Sequence, residues 1–290
     1  MRLLRLARER REDFQLLLLR YANERLLYRL SKSRHAPRFI LKGATLFTVW
    51  TGAPHRATRD VDLLGSGDSS EDHIREVFVE LLALELEDDG VRFDADAIQV
   101  GPIREDQQYP GVRVVLTAMI TSARLRLQFD IGFGDAITPG PITVEVPTLL
   151  DHEPPRLRAY PRETVVAEKL EAMVQLGLAN SRMKDFHDLV VLSKTFEFEG
   201  PVLVAAISAT FERRGTALPN TLPVALTPAF TEDRSKQTQW RAFGRKSGVT
   251  NLLDLPAAAQ AIAAFIELPL TAASTQTPFS AVWRPGGPWT

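Results

Sequence analysis

His55-Arg-Ala-Thr-Arg-Asp-Val-Asp-Leu-Leu-Gly65 is the stretch that decides the fold of this chain. From Arg59 to Leu64 polar and apolar residues alternate, the period of a strand with one face in a core. Val61 and Leu63 therefore point inward, while Asp60 and Asp62 project together from the opposite face. Adjacent carboxylates repel each other unless a cation lies between them, and their hard oxygens select Mg²⁺ over softer metals. Surface strands also carry Asp-x-Asp pairs by chance, so the flanking segments decide between the two readings.

Upstream, Arg38-Phe-Ile-Leu-Lys42-Gly43-Ala44-Thr45 takes an apolar strand through glycine into a short helix, Leu46 to Trp50, stopped by Gly52 and Pro54. Such a turn presents backbone N–H groups to phosphate. The Walker spacing is absent, which leaves a simple tight turn as the alternative. Downstream, Ser69 or Ser70 caps a helix with Glu71 and Asp72 in its first turn. Strand-like runs follow around residues 92–100, 112–120 and 124–131, the last two pairing as a hairpin across Thr121-Ser122. Asp130 sits in the third run, just before Gly132 and Gly134. Left unpaired in a buried strand it would be costly. Three acids at the ends of neighbouring strands suit two metals clamping a triphosphate.

Phe14, Leu17, Leu18, Tyr21, Leu26, Leu27 and Leu30 recur at helical spacing, which predicts one or two helices over residues 3–30. Residues 1–34 hold ten Lys/Arg against four acids, and residues 68–96 hold eleven acids against two Arg. The basic segment is read either as a phosphate-backbone contact or as the wet face of an amphipathic helix. Six prolines between Pro139 and Pro161 mark an extended connection, and from Glu163 the pattern is helical. The expected organisation is a core over residues 1–160, a helical lobe over 161–270 and an aromatic tail over 271–290 that docks through Phe279, Trp283 and Trp289.

Composition is that of a globular chain, 44% hydrophobic and 24% charged, with a net charge of −1. No run of about 18 apolar residues is free of charges, and no secretory leader is evident, so no membrane association and a cytoplasmic location are expected. The absence of cysteine excludes disulfides, thiolate zinc sites and thiol nucleophiles. HExxH, GxSxG and Rossmann patterns are missing. His187-Asp188, with His152 and either Asp233 or Asp254, allows a competing reading as an HD-type metal phosphohydrolase. A catalytically idle partner-binding subunit is the other alternative.

Phe39-Ile-Leu-Lys-Gly-Ala-Thr-Leu-Phe47, the stretch from His55 to Gly65, Phe129-Asp-Ile-Gly-Phe-Gly-Asp135, Val166-Ala-Glu-Lys-Leu-Glu-Ala172 and Ser181-Arg-Met-Lys-Asp-Phe-His-Asp-Leu189 occur in that order. Together they resemble the AbiEii/AbiGii nucleotidyltransferase toxin family of the DNA-polymerase-β-like superfamily. The resemblance runs from about Arg38 to Leu192. It implies an α+β fold: a mixed-sheet nucleotidyltransferase core with an N-terminal helical segment and a C-terminal helical lobe. It implies that Asp60, Asp62 and Asp130 hold two Mg²⁺ ions, for which Mn²⁺ can substitute, and that Asp130 takes the proton of the attacking hydroxyl. Lys42, Gly43 and Thr45 would bind the NTP phosphates, with Ala44 in the place of the superfamily's serine. Lys169 would reach the same phosphates, Asp185 would be required for activity, and Arg182, Lys184 and Asp188 would complete the nucleotide-binding set. NTP as substrate, the 3′ end of tRNA as acceptor and a cognate antitoxin as partner follow from the same resemblance, with a small molecule or a protein as the alternative acceptor.

Overall fold

The computed structural model describes residues 2–103 and 111–290 and divides them into two compact units. The first runs to Gly134 and takes in Ile142–Ala159; the second comprises Asp135–Pro141 and Tyr160–Thr290. The expected α+β class holds.

The first unit opens with α1 (Arg2–Arg10) and α2 (Phe14–Lys32). Asp13 caps α2, its carboxylate accepting from the Leu16 N–H at 2.9 Å. The helix buries Leu17, Leu18, Tyr21, Leu26, Leu27 and Leu30, while Phe14, the first of the apolar positions read from the sequence, is only half-buried. α1 buries Leu3 and Ala7, while Arg2 pairs with Asp151 and Arg5 with Glu9. There follow β1 (Phe39–Lys42), α3 (Thr45–Thr51), β2 (Asp60–Gly65), α4 (Glu71–Leu82), β3 (Val91–Pro102), β4 (Gly111–Ile120), β5 (Ala123–Phe133), β6 (Ile142–Glu145) and β7 (Arg156–Ala159). The strands form one mixed seven-stranded sheet in the order β3-β4-β5-β2-β1-β7-β6. β2 is parallel to β5 and antiparallel to β1. α2 and α4 pack on one side of this sheet, over Val61, Val114, Leu116, Leu127 and Phe129.

A buried charge cluster ties α2 to the start of β3. Arg25 and Arg29 donate to Asp89 at 3.0 and 2.8 Å, and these guanidiniums outweigh the effect of burial and hold Asp89 below the usual carboxylate range. Glu24, next along α2, accepts from the Leu149 N–H at 2.7 Å. Burial prevails there and pushes the Glu24 carboxyl up to about 7, against the pull of that N–H and of Arg25.

The second unit is helical: α5 (Arg162–Leu176), α6 (Met183–Thr195), α7 (Gly200–Arg214), the short α8 (Pro228–Thr231), α9 (Arg234–Ser247) and α10 (Leu255–Thr275). Strands β8 (Phe198–Glu199) and β9 (Val282–Trp283) form a two-residue ladder. The last helix runs through Pro269, which lies inside it, to Thr275, five residues into the segment expected to be tail. A proline there removes the N–H that would bond the Phe265 carbonyl. The Trp289 indole N–H fills the gap, donating to that oxygen at 2.9 Å. Trp283 donates to the Ser193 carbonyl at 2.7 Å, and Phe265, Phe279, Trp283 and Trp289 form one aromatic cluster. Among the described residues, α10 alone has the length and apolarity of a membrane span, and 50% of its apolar window is buried inside the protein.

Candidate active site

Asp60 and Asp62 stand where the alternation of β2 puts them, half-buried, with Val61 and Leu63 beneath them in the core. Sheet register lines up the remaining groups. Asp62 lies opposite Lys42 on one side and Asp130 on the other, and Asp130 lies opposite Arg113 of β4. Directly opposed residues share a face, so Lys42, Asp62, Asp130 and Arg113 form a row across four strands with the two anions between two cations. Asp60 stands one step along, opposite Gln128.

The Asp130 carboxylate is gripped at both ends. Arg113 donates Nε to Oδ1 and Nη2 to Oδ2, each at 2.8 Å, and Gln128 Nε2 approaches both oxygens at 3.3 Å. A bidentate guanidinium of this kind fixes a carboxylate in plane and position. Arg113 and Gln128 were absent from the sequence-based set, yet the hairpin across Thr121-Ser122 carried the signal: counting seven residues back from Ile120 and seven on from Ala123 pairs Arg113 with Asp130.

Gly43 forms the other wall. Its φ is +73°, a left-handed conformation that favours glycine, and a methyl group at its Cα would lie 2.0 Å from Asp62 Oδ2. The turn therefore brings backbone against the Asp62 carboxylate as no other residue would allow. Ala44 follows, buried, where the superfamily has serine, and half-buried Thr45 opens α3.

Among the described residues no group of three or more acids or imidazoles stands together to hold a metal ion, and Asp60, Asp62 and Asp130 do not make one. Mg²⁺ seldom needs one, because it is commonly held by one or two carboxylates together with substrate phosphates. The donor set fits that mode: hard oxygens of Asp60 and Asp62 on one face, with backbone drawn close at Gly43.

The second unit brings another set together. Lys169 on α5 donates to Asp185 at 2.7 Å and to Asp188 at 2.8 Å, both on α6. Arg182 Nε donates to the other oxygen of Asp185 at 2.6 Å. Asp185 and Asp188 are buried at 1% and 0% exposure, and the Lys169 side chain is 12% exposed. Burial alone would raise the Asp185 carboxyl; Lys169 and Arg182 overcome it and hold it down at about 2. Lys184 points outward and is exposed. A neighbouring cluster also went unread in the sequence. Arg214 at the end of α7 meets Glu171, Asp135 and Glu168 at 2.8, 3.0 and 3.1 Å.

The HD-type alternative finds no support. Asp188 is engaged by Lys169, and the His187 ring packs 5.7 Å from that of Phe243. His152 lies 2.9 Å from the Tyr21 hydroxyl, while Asp233 and Asp254 cap α9 and α10.

A mixed sheet with an Asp-x-Asp strand, a third acid on the parallel neighbour and a glycine turn against the pair is the core of a nucleotidyltransferase. The profile of the family described as "Nucleotidyl transferase AbiEii toxin, Type IV TA system" matches residues 25–264. The chain belongs to that family of toxin–antitoxin nucleotidyltransferases. Among solved structures, JHP933 from Helicobacter pylori superposes with a TM-score of 0.51 at 14% identity, over 90% of this chain and 91% of that one, which is a likeness of fold. A second H. pylori protein, crystallised as a candidate nucleotidyltransferase, gives 0.49 at 14% identity over 90% and 94%. Comparison with curated proteins gives no match.

Proposed function

We propose that this protein transfers a nucleoside monophosphate from an NTP to a hydroxyl of RNA, foremost the 3′ end of tRNA, as the toxin of a cytoplasmic toxin–antitoxin pair. The observation that carries the reading is the charge-balanced row Lys42, Asp62, Asp130 and Arg113, with Gly43 against Asp62. The acceptor oxygen attacks the α-phosphorus, the bond from that phosphorus to its bridging oxygen breaks, and pyrophosphate leaves with the electron pair. Asp130 is the acceptor of the hydroxyl proton. Arg113 holds the carboxylate in place through one lone pair of each oxygen, and the second pair, which Gln128 Nε2 approaches only at 3.3 Å, is the one the proton would use.

Two divalent ions, Mg²⁺ or Mn²⁺, held by Asp60, Asp62 and Asp130, would supply electrostatic stabilisation of the charge that builds up on the phosphoryl oxygens. The Gly43–Thr45 turn and Lys42 receive the β- and γ-phosphates. Within the second unit Lys169 is the nucleotide-binding lysine, with Asp185 and Asp188 as positioning residues that fix its ammonium. Arg182 and Lys184 complete the nucleotide-binding set. An ionised Asp185 keeps both of its cationic partners aligned throughout the physiological range.

The test is an acceptor search. Purified protein is incubated with each α-labelled NTP and Mg²⁺, and separately with total tRNA, a soluble protein fraction and a small-metabolite fraction. Label is expected in tRNA, with one NTP preferred. Label confined to protein or metabolites would move the acceptor to another class, and no label in any fraction would remove the transferase reading.

A further inference from the structure

The N-terminal segment is the conspicuous basic region of the sequence, but a second one lies in α9. Between Arg234 and Leu253 the chain carries five basic residues, Arg234, Lys236, Arg241, Arg245 and Lys246, and no acid. Helical geometry sorts them. At 100° per residue Arg234, Thr238, Arg241 and Arg245 fall in one stripe, and a rise of 1.5 Å per residue spreads it over about 16 Å. Ser235, Ala242 and Lys246 flank the stripe, and all seven of these residues are exposed.

The inner face of the helix is anchored. Trp240 is buried and donates to the Leu253 carbonyl at 2.7 Å, and Gly244 lies so close to Leu252 that a methyl group there would meet its Cδ2 at 2.6 Å. Trp240 meets Phe186 edge-on and Phe243 lies beside His187, both partners belonging to α6. Lys236 turns inward and donates to the Asn180 carbonyl at 2.8 Å, while the Asn180 side chain accepts from the Arg182 N–H. Packing therefore holds the arginine stripe rigidly on the helix that carries Asp185 and Asp188. Among the described residues, no carboxylate lies within ion-pair distance of Arg234, Arg241, Arg245 or Lys246. On α1, by contrast, two of the four arginines, Arg2 and Arg5, already have acidic partners.

From this we infer that the outer face of α9 is a docking surface for the phosphate backbone of a polynucleotide. The choice of occupant rests partly on the RNA acceptor proposed above, but the surface itself argues against the alternatives. A membrane-binding helix presents large apolar side chains opposite its charges, and a protein interface centres on buried aromatic or aliphatic anchors. Here the aromatic residues face inward, and the outer face offers arginines separated by Ser235, Thr238 and Ala242. Guanidinium and hydroxyl donors on a rigid element are what phosphate and sugar contacts use. Glu232 and Asp233 at the start of the helix bound the surface at that end.

The experiment uses the full chain and the triple variant Arg234→Gln, Arg241→Gln, Arg245→Gln, with Arg5→Gln, Arg8→Gln as a charge control. Binding of a 5′-labelled hairpin RNA with a single-stranded 3′ tail is titrated across salt concentrations without NTP. For the triple variant, affinity at about 50 mM salt should fall at least tenfold, and the slope of log K against log salt should flatten by about two, with roughly 0.7 to 0.9 lost per phosphate contact. Thermal melting and NTP binding should match the parent, and the control should lose less than half as much slope. Parental affinity and slope in the triple variant would overturn the assignment, as would an equal loss in the control or no RNA binding by the parent. Tighter parental binding to phosphatidylserine vesicles or to polyglutamate than to RNA would also overturn it. Because the titration involves no turnover, a protein that binds RNA through α9 yet transfers nothing would refute the proposed reaction and leave this surface standing.

Discussion

Gly43 and Asp62 are the pair of residues on which the site depends most closely. Replacing Gly43 with alanine forces a methyl group into the Asp62 carboxylate and asks a non-glycine residue to hold φ of +73°. Gly43→Ala is expected to lose about 1 to 2 kcal/mol of stability in urea denaturation and to lower transfer at least a hundredfold. The acids themselves behave differently. Asparagine keeps the size and shape of the Asp60 side chain, so Asp60→Asn should melt within a few degrees of the parent while transfer is lost. A large drop in melting temperature would mean that Asp60 is a structural residue. Asp60 and Asp62 could be picked out in the sequence because strand alternation is a strict local rule. Arg113 could be paired with Asp130 only by carrying the hairpin register seven residues from the turn, a step that depends on the absence of any bulge between them.

At the scale of elements, α5 and α6 are joined by Lys169 through two buried carboxylates. Lys169→Met would withdraw one ammonium from two buried carboxylates at once, at an expected cost of about 3 to 5 kcal/mol. Adding Asp188→Asn to that variant should recover a large part of the loss; if both proteins denature at the same urea concentration, the lysine does not hold the helices together. Helix α2 carries a pH-dependent element in Glu24. Its folded carboxyl titrates at about 7, above the ordinary value of 4.5, so its contribution is fully present below pH 4.5 and is lost as pH rises through 7. Glu24→Gln keeps an acceptor for the Leu149 N–H without the buried charge. Relative to the parent it should gain roughly 3 kcal/mol by pH 8 and nothing at pH 4.5, read from denaturation at both values. The helices of the C-terminal half were legible through their 3.6-residue period, whereas the length of α10 was not. A proline normally stops a helix, and what tolerates Pro269 is an indole twenty residues away, outside any local window.

For the molecule as a whole, the sequence disclosed the class of fold and the acids of the sheet, because both follow from short-range periodicity and ordered motifs. The buried charge clusters, Asp89 with two arginines and Arg214 with three acids, join residues dozens of positions apart and emerge only from tertiary packing. Membership of the AbiEii family fixes the general chemistry, and the row from Lys42 to Arg113 is the physical basis we propose for it. The central claim is that this row moves the α-phosphorus of an NTP onto an acceptor. Parallel reactions with total tRNA, Mg²⁺ and the same NTP labelled at either the α- or the γ-phosphate test it most directly, run with the parent protein and with Asp62→Asn. The account requires α-label in the RNA, γ-label in released pyrophosphate, and neither product from a folded Asp62→Asn protein. Label entering RNA from the γ-position, or equal transfer by the parent and Asp62→Asn, would contradict it.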